Sequence, residues 1–163
     1  MRILAVDPGY DRMGIAVIEG DPSRPTYVWS ACITPEKGAR AMRLARVYAA
    51  VAEALRAHAP DALALETLFF STNVRTAIGV AEARGAILAA AGAAGTPVVE
   101  HSPQAVKLAA TGNGRADKAA VARMIPKLVA LPSPPSGKRL DDELDALALA
   151  LCALAARQST PAR

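Results

Sequence analysis

The chain has 163 residues, a formal net charge of +4 at pH 7, 52% hydrophobic residues and 4% aromatic residues. This length predicts one domain over residues 1–158, with a disordered tail at 159–163. The least polar helical stretch, residues 86–94, is too short to span a bilayer. Cys32 and Cys152 lie far apart without a CxxC pattern, which predicts free thiols in a reducing cytosol and no cysteine metal site.

Three strands are predicted at the start of the chain. Residues 2–7, 13–19 and 26–34 are apolar or alternating and contain many β-branched residues. Short turns separate them, at Pro8-Gly9 and at 20–25, which predicts an antiparallel meander. Gly14 lacks a side chain and is expected to let another part of the chain approach the second strand.

Helices and strands alternate in the rest of the chain. The periodicity predicts helices at 38–58, 73–94, 103–110, 117–130 and 140–157, and strands at 61–66 and 97–101. Because a helix separates the strand at 61–66 from the first strand, the two are expected to be parallel. The order predicts an α/β fold: a mixed five-stranded sheet, an antiparallel meander plus parallel strands, with helices on both faces.

Several carboxylates stand at places where they could meet. Asp7 and Glu66 each end an apolar strand, although Asp7 alone is explained equally well as a turn residue. The last helix carries Asp145 beside its leucine stripe, with Asp142 three residues before it and Asp141 four before it. Helical periodicity does not choose between Asp141 and Asp142. Glu143 is expected to face solvent.

Four converging carboxylates without basic partners would repel one another, which implies a divalent cation. Oxygen ligands without histidine or cysteine favour Mg²⁺ or Mn²⁺ over zinc. Two such ions about 4 Å apart suit in-line displacement at a phosphodiester. The pattern therefore predicts a metal-dependent phosphodiesterase.

A set of short motifs, in one order and over nearly the whole chain, identifies a family. The motifs are Asp7-Pro8-Gly9 with Gly14, Glu66-Thr67-Leu68-Phe69, Ala83-Arg84-Gly85, Pro103 through Val106-Lys107, Thr111-Gly112 with Gly114 and Lys118, and Asp142 with Asp145-Ala146-Leu147-Ala148. With them the chain resembles the RuvC family of Holliday junction resolvases, in the ribonuclease H-like superfamily. The resemblance implies that the metal-binding acids are Asp7, Glu66, Asp142 and Asp145, which decides for Asp142 over Asp141.

The resemblance also implies roles for basic and aromatic residues. Lys107 and Lys118 would hold the scissile phosphate or steady transition-state charge. Phe69 would stack on an unpaired base near the crossover, and Arg75 and Arg115 are expected among the DNA contacts. Arg84 could meet a phosphate or be structural.

The implied function is resolution of four-way DNA junctions by paired nicks in strands of like polarity, during recombination and DNA repair. The implied enzyme is a cytoplasmic homodimer with two Mg²⁺ or Mn²⁺ ions in each active site, and its implied partner is the RuvA–RuvB branch-migration complex. Departures from the family pattern include Met13, Glu82, Ala120, a missing last-helix histidine and a longer 132–139 loop. They leave the four acids untouched and bear on sequence preference and junction contacts.

Three alternatives remain. Another ribonuclease H-like nuclease, YqgF-type or RNA-processing, would share the opening aspartate but lack the Phe69 motif and the Lys107-to-Lys118 stretch. An actin-like or sugar-kinase fold needs well over twice this length. A non-catalytic junction-binding protein has no support, since all four acids are present.

Overall fold

The computed structural model describes residues 1–9, 11–67, 74–133 and 139–158, without the side chains of 74–76 and 157–158. In chain order the elements are β1 (Arg2–Asp7), β2 (Met13–Asp21), β3 (Arg24–Ile33), α1 (Arg40–His58), β4 (Ala62–Glu66), α2 (Val74–Ala93), β5 (Val98–His101), α3 (Pro103–Thr111), α4 (Lys118–Leu128) and α5 (Asp141–Gln158). Each predicted element is present, and its ends differ from the prediction by two residues at most.

The five strands form one mixed sheet in the order β3-β2-β1-β4-β5. The pairs β1–β2 and β2–β3 are antiparallel, whereas β1–β4 and β4–β5 are parallel, as predicted. The register pairs Val6 with Leu65 and Glu66 with His101. The carboxyl ends of the three parallel strands therefore meet at one edge, which carries Asp7 and Glu66.

Successive side chains of β1 point to opposite faces of the sheet and therefore pack in two separate cores, one on each face. Leu4 and Val6 pack in the core that α1 and α2 cover, whereas Ile3 and Ala5 pack in the core that α5 covers. Continuing the alternation places Asp7 on the α5 face. Ala62 and Ala64 place Glu66 there in the same way.

Helix α5 is the central helix of its layer. Every residue from 146 to 154 is at most 8% exposed, because the helix lies on the sheet and is covered by α3 and α4. Apart from Arg157 and Gln158 at its end, its polar residues consequently lie in the first turns, next to the strand ends. Within the described residues, no helix is long and apolar enough to cross a bilayer.

Candidate active site

A pocket of about 180 Å³ opens at the edge where β1 and β4 end. Asp7, Glu66 and Asp145 line it together with Lys107 of α3 and Lys118 of α4. The rest of the lining is almost entirely apolar: Pro103, Val106, Val121, Ala148 and Leu149. Three of the expected acids and both expected lysines thus share one partly desolvated pocket.

Two glycines allow the backbone to close tightly around Asp7. A Cβ atom on Gly9 would lie 1.9 Å from the carbonyl oxygen of Arg12, inside the tight β1–β2 turn. A Cβ atom on Gly14, which pairs with Asp7 across the sheet, would lie 1.9 Å from the carbonyl oxygen of Asp142. The expected close approach at Gly14 is confirmed, and the approaching segment is the first turn of α5.

Asp142 lies beside the pocket without lining it. Its Oδ2 atom is 3.2 Å from Nη2 of Arg12 and 3.9 Å from Sγ of Cys32. The side chain of Arg12 is 53% exposed, so the carboxylate is held at the rim of the pocket. Sequence reasoning missed Arg12, because nothing in the β1–β2 turn indicates a partner on the last helix.

Burial, together with neighbouring carboxylates, makes the pocket unfavourable for negative charge. Burial, helped by the nearby Asp145 and Glu66 carboxylates and opposed by Lys118, raises the pKa of Asp7 to about 7. Burial also raises the pKa of Glu66, again with help from Asp145 and against the attraction of Lys107 and Lys118. The ionised form of Asp7 is therefore destabilised in the absence of an added cation.

Lys118 pairs with a carboxylate of the pocket, and the local structure of the chain puts it there. Gly112, with φ of 74°, ends α3, and the side chain of Asp117 accepts a hydrogen bond from Ala120 N–H to begin α4. Lys118 is the first residue of α4, and its Nζ atom is 2.5 Å from Oδ2 of Asp145. That hydrogen bond raises the pKa of Lys118.

The donor chemistry of the site fits a divalent cation. Four carboxylates offer only hard oxygen ligands, and a cation would relieve the repulsion around Asp7. In the described part of the chain, however, no three His, Cys, Asp or Glu side chains converge closely enough to form a ready ligand set. Lys118 and Arg12 pair with Oδ2 of Asp145 and of Asp142, so a cation would compete with them for these oxygen atoms.

Of the three other predicted DNA contacts, Arg115, Arg75 and Phe69, only Arg115 has a described side chain. Arg115 is exposed on the turn before α4, and its backbone N–H donates to Oδ1 of Asn113 at 2.9 Å. Arg75 lies in the first turn of α2, but its side chain is not among those described. Phe69 lies outside the described residues altogether.

Arg84 is structural. Only 9% of the residue is exposed, and its guanidinium group donates to the backbone carbonyl of Glu66 and pairs with Glu100 on β5. It therefore ties α2 to the ends of β4 and β5, directly behind Glu66.

The expectation that Glu143 faces solvent is wrong. Its side chain is 14% exposed and accepts hydrogen bonds from Ser30 and Arg139. The reason is that β3 runs beside the first turn of α5, so the side of the helix away from the leucine stripe is also covered.

A mixed sheet with acids at the ends of β1 and β4 and on α5 defines the ribonuclease H-like class of nucleases. Within that class, the family model described as crossover junction endodeoxyribonuclease RuvC matches residues 3–153. The chain belongs to the RuvC family.

Individual relatives are similar to this chain over nearly its whole length. Crossover junction endodeoxyribonuclease RuvC of Rubrobacter xylanophilus is 46% identical over 92% of this chain and 83% of its own. That of a Parafrankia species is 44% identical over 100% of this chain and 95% of its own. The structure of Thermus thermophilus RuvC in complex with a Holliday junction substrate has a TM-score of 0.89 and 32% identity, covering 98% of this chain and 97% of that one.

Proposed function

We propose that this chain resolves four-way (Holliday) DNA junctions by paired, metal-dependent nicks in strands of like polarity, during recombination and DNA repair. The observation that carries the proposal is the pocket that joins Asp7, Glu66 and Asp145 to Lys107 and Lys118 in a chain of this family. Its acids suit a cation and its lysines suit a phosphate, which together are the requirements for phosphodiester hydrolysis.

The metal ligands in this proposal are Asp7, Glu66, Asp142 and Asp145, holding Mg²⁺ or Mn²⁺, two ions in each site. Bound ions of this kind activate water and stabilise charge on the phosphate that is cleaved. Asp7 is central because it interacts electrostatically with each of the other three acids.

The lysines have a different part in the mechanism. Lys118 neutralises Asp145 in the free protein, at 2.5 Å. Once released from that carboxylate, its ammonium group is free to donate to a phosphate oxygen, as is that of Lys107, which also lines the pocket. Lys118 thus exchanges one anion for another when substrate binds.

Binding of the junction is assigned to residues around this pocket. Arg115 is exposed near Lys118 and suits a phosphate contact. Phe69 and Arg75 are proposed as further DNA contacts from the family pattern.

A homodimer with two active sites about a two-fold axis would explain paired nicks. We also propose, from the family resemblance, that the protein works with the RuvA–RuvB complex and is located in the cytoplasm.

Cleavage of a mobile synthetic four-way junction in Mg²⁺ or Mn²⁺, mapped to the nucleotide, tests the proposal. Asp7→Asn and Asp142→Asn are expected to abolish cleavage, because each removes a charged metal ligand. Asp141→Asn is the matched control: Asp141 is the exposed neighbour of Asp142, so the variant should cut like the wild type.

Two results would contradict the proposal at different levels. Cleavage that persists in Asp7→Asn would remove the metal site from the mechanism. Linear duplex cut as fast as the junction would leave a nuclease of the ribonuclease H-like class that is not a resolvase.

A further inference from the structure

A largely buried polar cluster joins the start of α5 to strand β3, outside the pocket that holds Asp7. Arg139 and Glu143 form its ion pair, with Nη1 3.1 Å from Oε2, and their side chains are only 10% and 14% exposed. Withdrawing two charges from water is costly unless further hydrogen bonds satisfy them. The neighbours of the pair therefore decide whether it holds the structure in place.

Each charged group of the cluster has several partners. Oγ of Ser30 donates to Oε2 of Glu143 at 2.7 Å, and Nη1 of Arg139 donates to the same Oγ. Nη2 of Arg139 donates to the carbonyl oxygen of Pro132 at 3.0 Å. The guanidinium carbon lies 5.2 Å from the ring centroid of Tyr27. A buried network satisfied in this way is rigid and specifies one arrangement of its elements.

This cluster lies next to two of the proposed metal ligands. Glu143 follows Asp142 directly in the sequence and precedes Asp145 by two residues. On β3, Ser30 is two residues from Cys32, whose Sγ lies 3.9 Å from Oδ2 of Asp142. Alternate residues of a strand face the same side of the sheet, so Ser30 and Cys32 both contact the first turn of α5. Contacts at these two points fix the rotation of the helix.

We propose that Arg139, Glu143 and Ser30 are positioning residues, which set the rotation and height of α5 and so place Asp142 and Asp145 for divalent cation binding. The inference rests on the proposed function, which assigns those two acids to the metal site. The rival role for Arg139, a DNA phosphate contact, is disfavoured because its guanidinium group is nearly buried and already engaged on β3, on α5 and at Pro132.

Arg139→Met and Glu143→Gln, alone and combined, test the proposal. Each single substitution leaves a buried group without its partner and lets α5 shift. We expect Mn²⁺ affinity, measured by titration calorimetry, and the cleavage rate at saturating junction to fall about 10–100-fold, as for other residues that orient metal ligands. Junction affinity should stay at the wild-type value.

The double variant carries a further expectation. It removes both charges, so no buried charge is left unpaired, and its loss should be smaller than the product of the two single losses. The matched control is the ion pair between Arg40 of α1 and Glu82 of α2, whose arginine is 60% exposed. Arg40→Met and Glu82→Gln should leave Mn²⁺ affinity and cleavage unchanged.

Thermal unfolding identifies any variant that fails to fold, and Ser30→Ala then takes its place. It removes one hydroxyl from the cluster without creating an unpaired charge, and a smaller fall in Mn²⁺ affinity is expected. Unchanged Mn²⁺ affinity in the folded variants would overturn the proposal. So would an Arg139→Met protein that loses junction affinity but keeps the wild-type rate at saturation. If the wild-type chain cuts no junction, the proposed function fails, whereas the calorimetric comparison still tests the cluster.

Discussion

Asp7 combines burial at a strand end with three neighbouring carboxylates, which is an unfavourable place for a negative charge. Its pKa of about 7 means that a large part of the folded, metal-free protein carries Asp7 protonated near neutral pH. In the unfolded chain the pKa is near 3.8. The residue therefore costs stability in order to provide a cation site, a trade-off common to functional sites.

This cost predicts a pH-dependent effect of Asp7→Asn on the metal-free protein. Between about pH 4 and pH 7 the folded wild type holds a proton that the unfolded chain lacks, so its stability falls progressively over this range and the contribution of the proton is fully lost above about pH 7. Asparagine cannot ionise. At pH 8 the variant should be more stable by about 1–4 kcal/mol, with no comparable gain at pH 5.

Thermal unfolding in a metal chelator at pH 5 and pH 8 measures this difference. Asp141→Asn is again the control, because its exposed carboxylate is outside the pocket. An equal gain at both pH values would argue against a raised pKa at Asp7. Excess Mn²⁺ at pH 8 should reverse the order, since it stabilises only the protein that binds it.

Among the structural elements, α5 packs closely against β2 only because residue 14 has no side chain. The Cα of Gly14 faces the backbone carbonyl of Asp142, and its register partner on β1 is Asp7. One glycine thus connects a strand that supplies one proposed ligand to the helix that supplies two others. Arg84 and Arg139 make comparable links at the back of β4 and along β3.

Gly14→Ala is expected to separate α5 from β2, because the added Cβ would lie 1.9 Å from a backbone oxygen that cannot rotate away. Overpacking of this kind costs about 1–3 kcal/mol, and junction cleavage should fall more than the stability loss explains. Chemical denaturation and cleavage rates measure the two effects.

Gly92→Ala is the matched control for that substitution. Gly92 lies in α2, where a Cβ would meet nothing within 4 Å, so alanine should be neutral or stabilise the helix by up to about 1 kcal/mol. Wild-type cleavage by Gly14→Ala would show that the helix tolerates the displacement.

At the scale of the whole molecule, the positions of the lysines and arginines matter more for DNA binding than the net charge of +4. Lys107 and Lys118 line the acidic pocket, and Arg115 is exposed on the turn just before Lys118. Arg56, by contrast, lies in the last turn of α1, which leads to the opposite end of β4. The two arginines therefore differ in their distance from the proposed DNA-binding edge.

Arg115→Gln is expected to weaken junction binding and to reduce the salt dependence of the affinity by about one unit of log–log slope, as one lost phosphate contact does. Arg56→Gln should change neither quantity. Fluorescence anisotropy over a KCl series, without a metal that supports cleavage, measures both. Equal slopes for Arg115→Gln and the wild type would remove Arg115 from the interface.

Much of this architecture follows from local patterns. Apolar periodicity located each described strand and helix, and the crossover rule for parallel strands put Asp7 and Glu66 at one edge, as the sheet confirms. Long-range pairing was beyond that reasoning. The bond between Ser30 and Glu143 spans 113 residues, and no pattern near either residue indicates the other.

The sequence by itself determined the order and length of the elements, the family, and the set of acids available for a metal, because these depend on periodicity, turn residues and short motifs. Only the tertiary structure decided which basic side chains pair with the acids and how far each acid is buried. It paired Asp142 with Arg12 and Asp145 with Lys118, and it buried Glu143 against β3. Those charges meet only when the last helix packs on the first strands, and their energies depend on the burial that this packing creates.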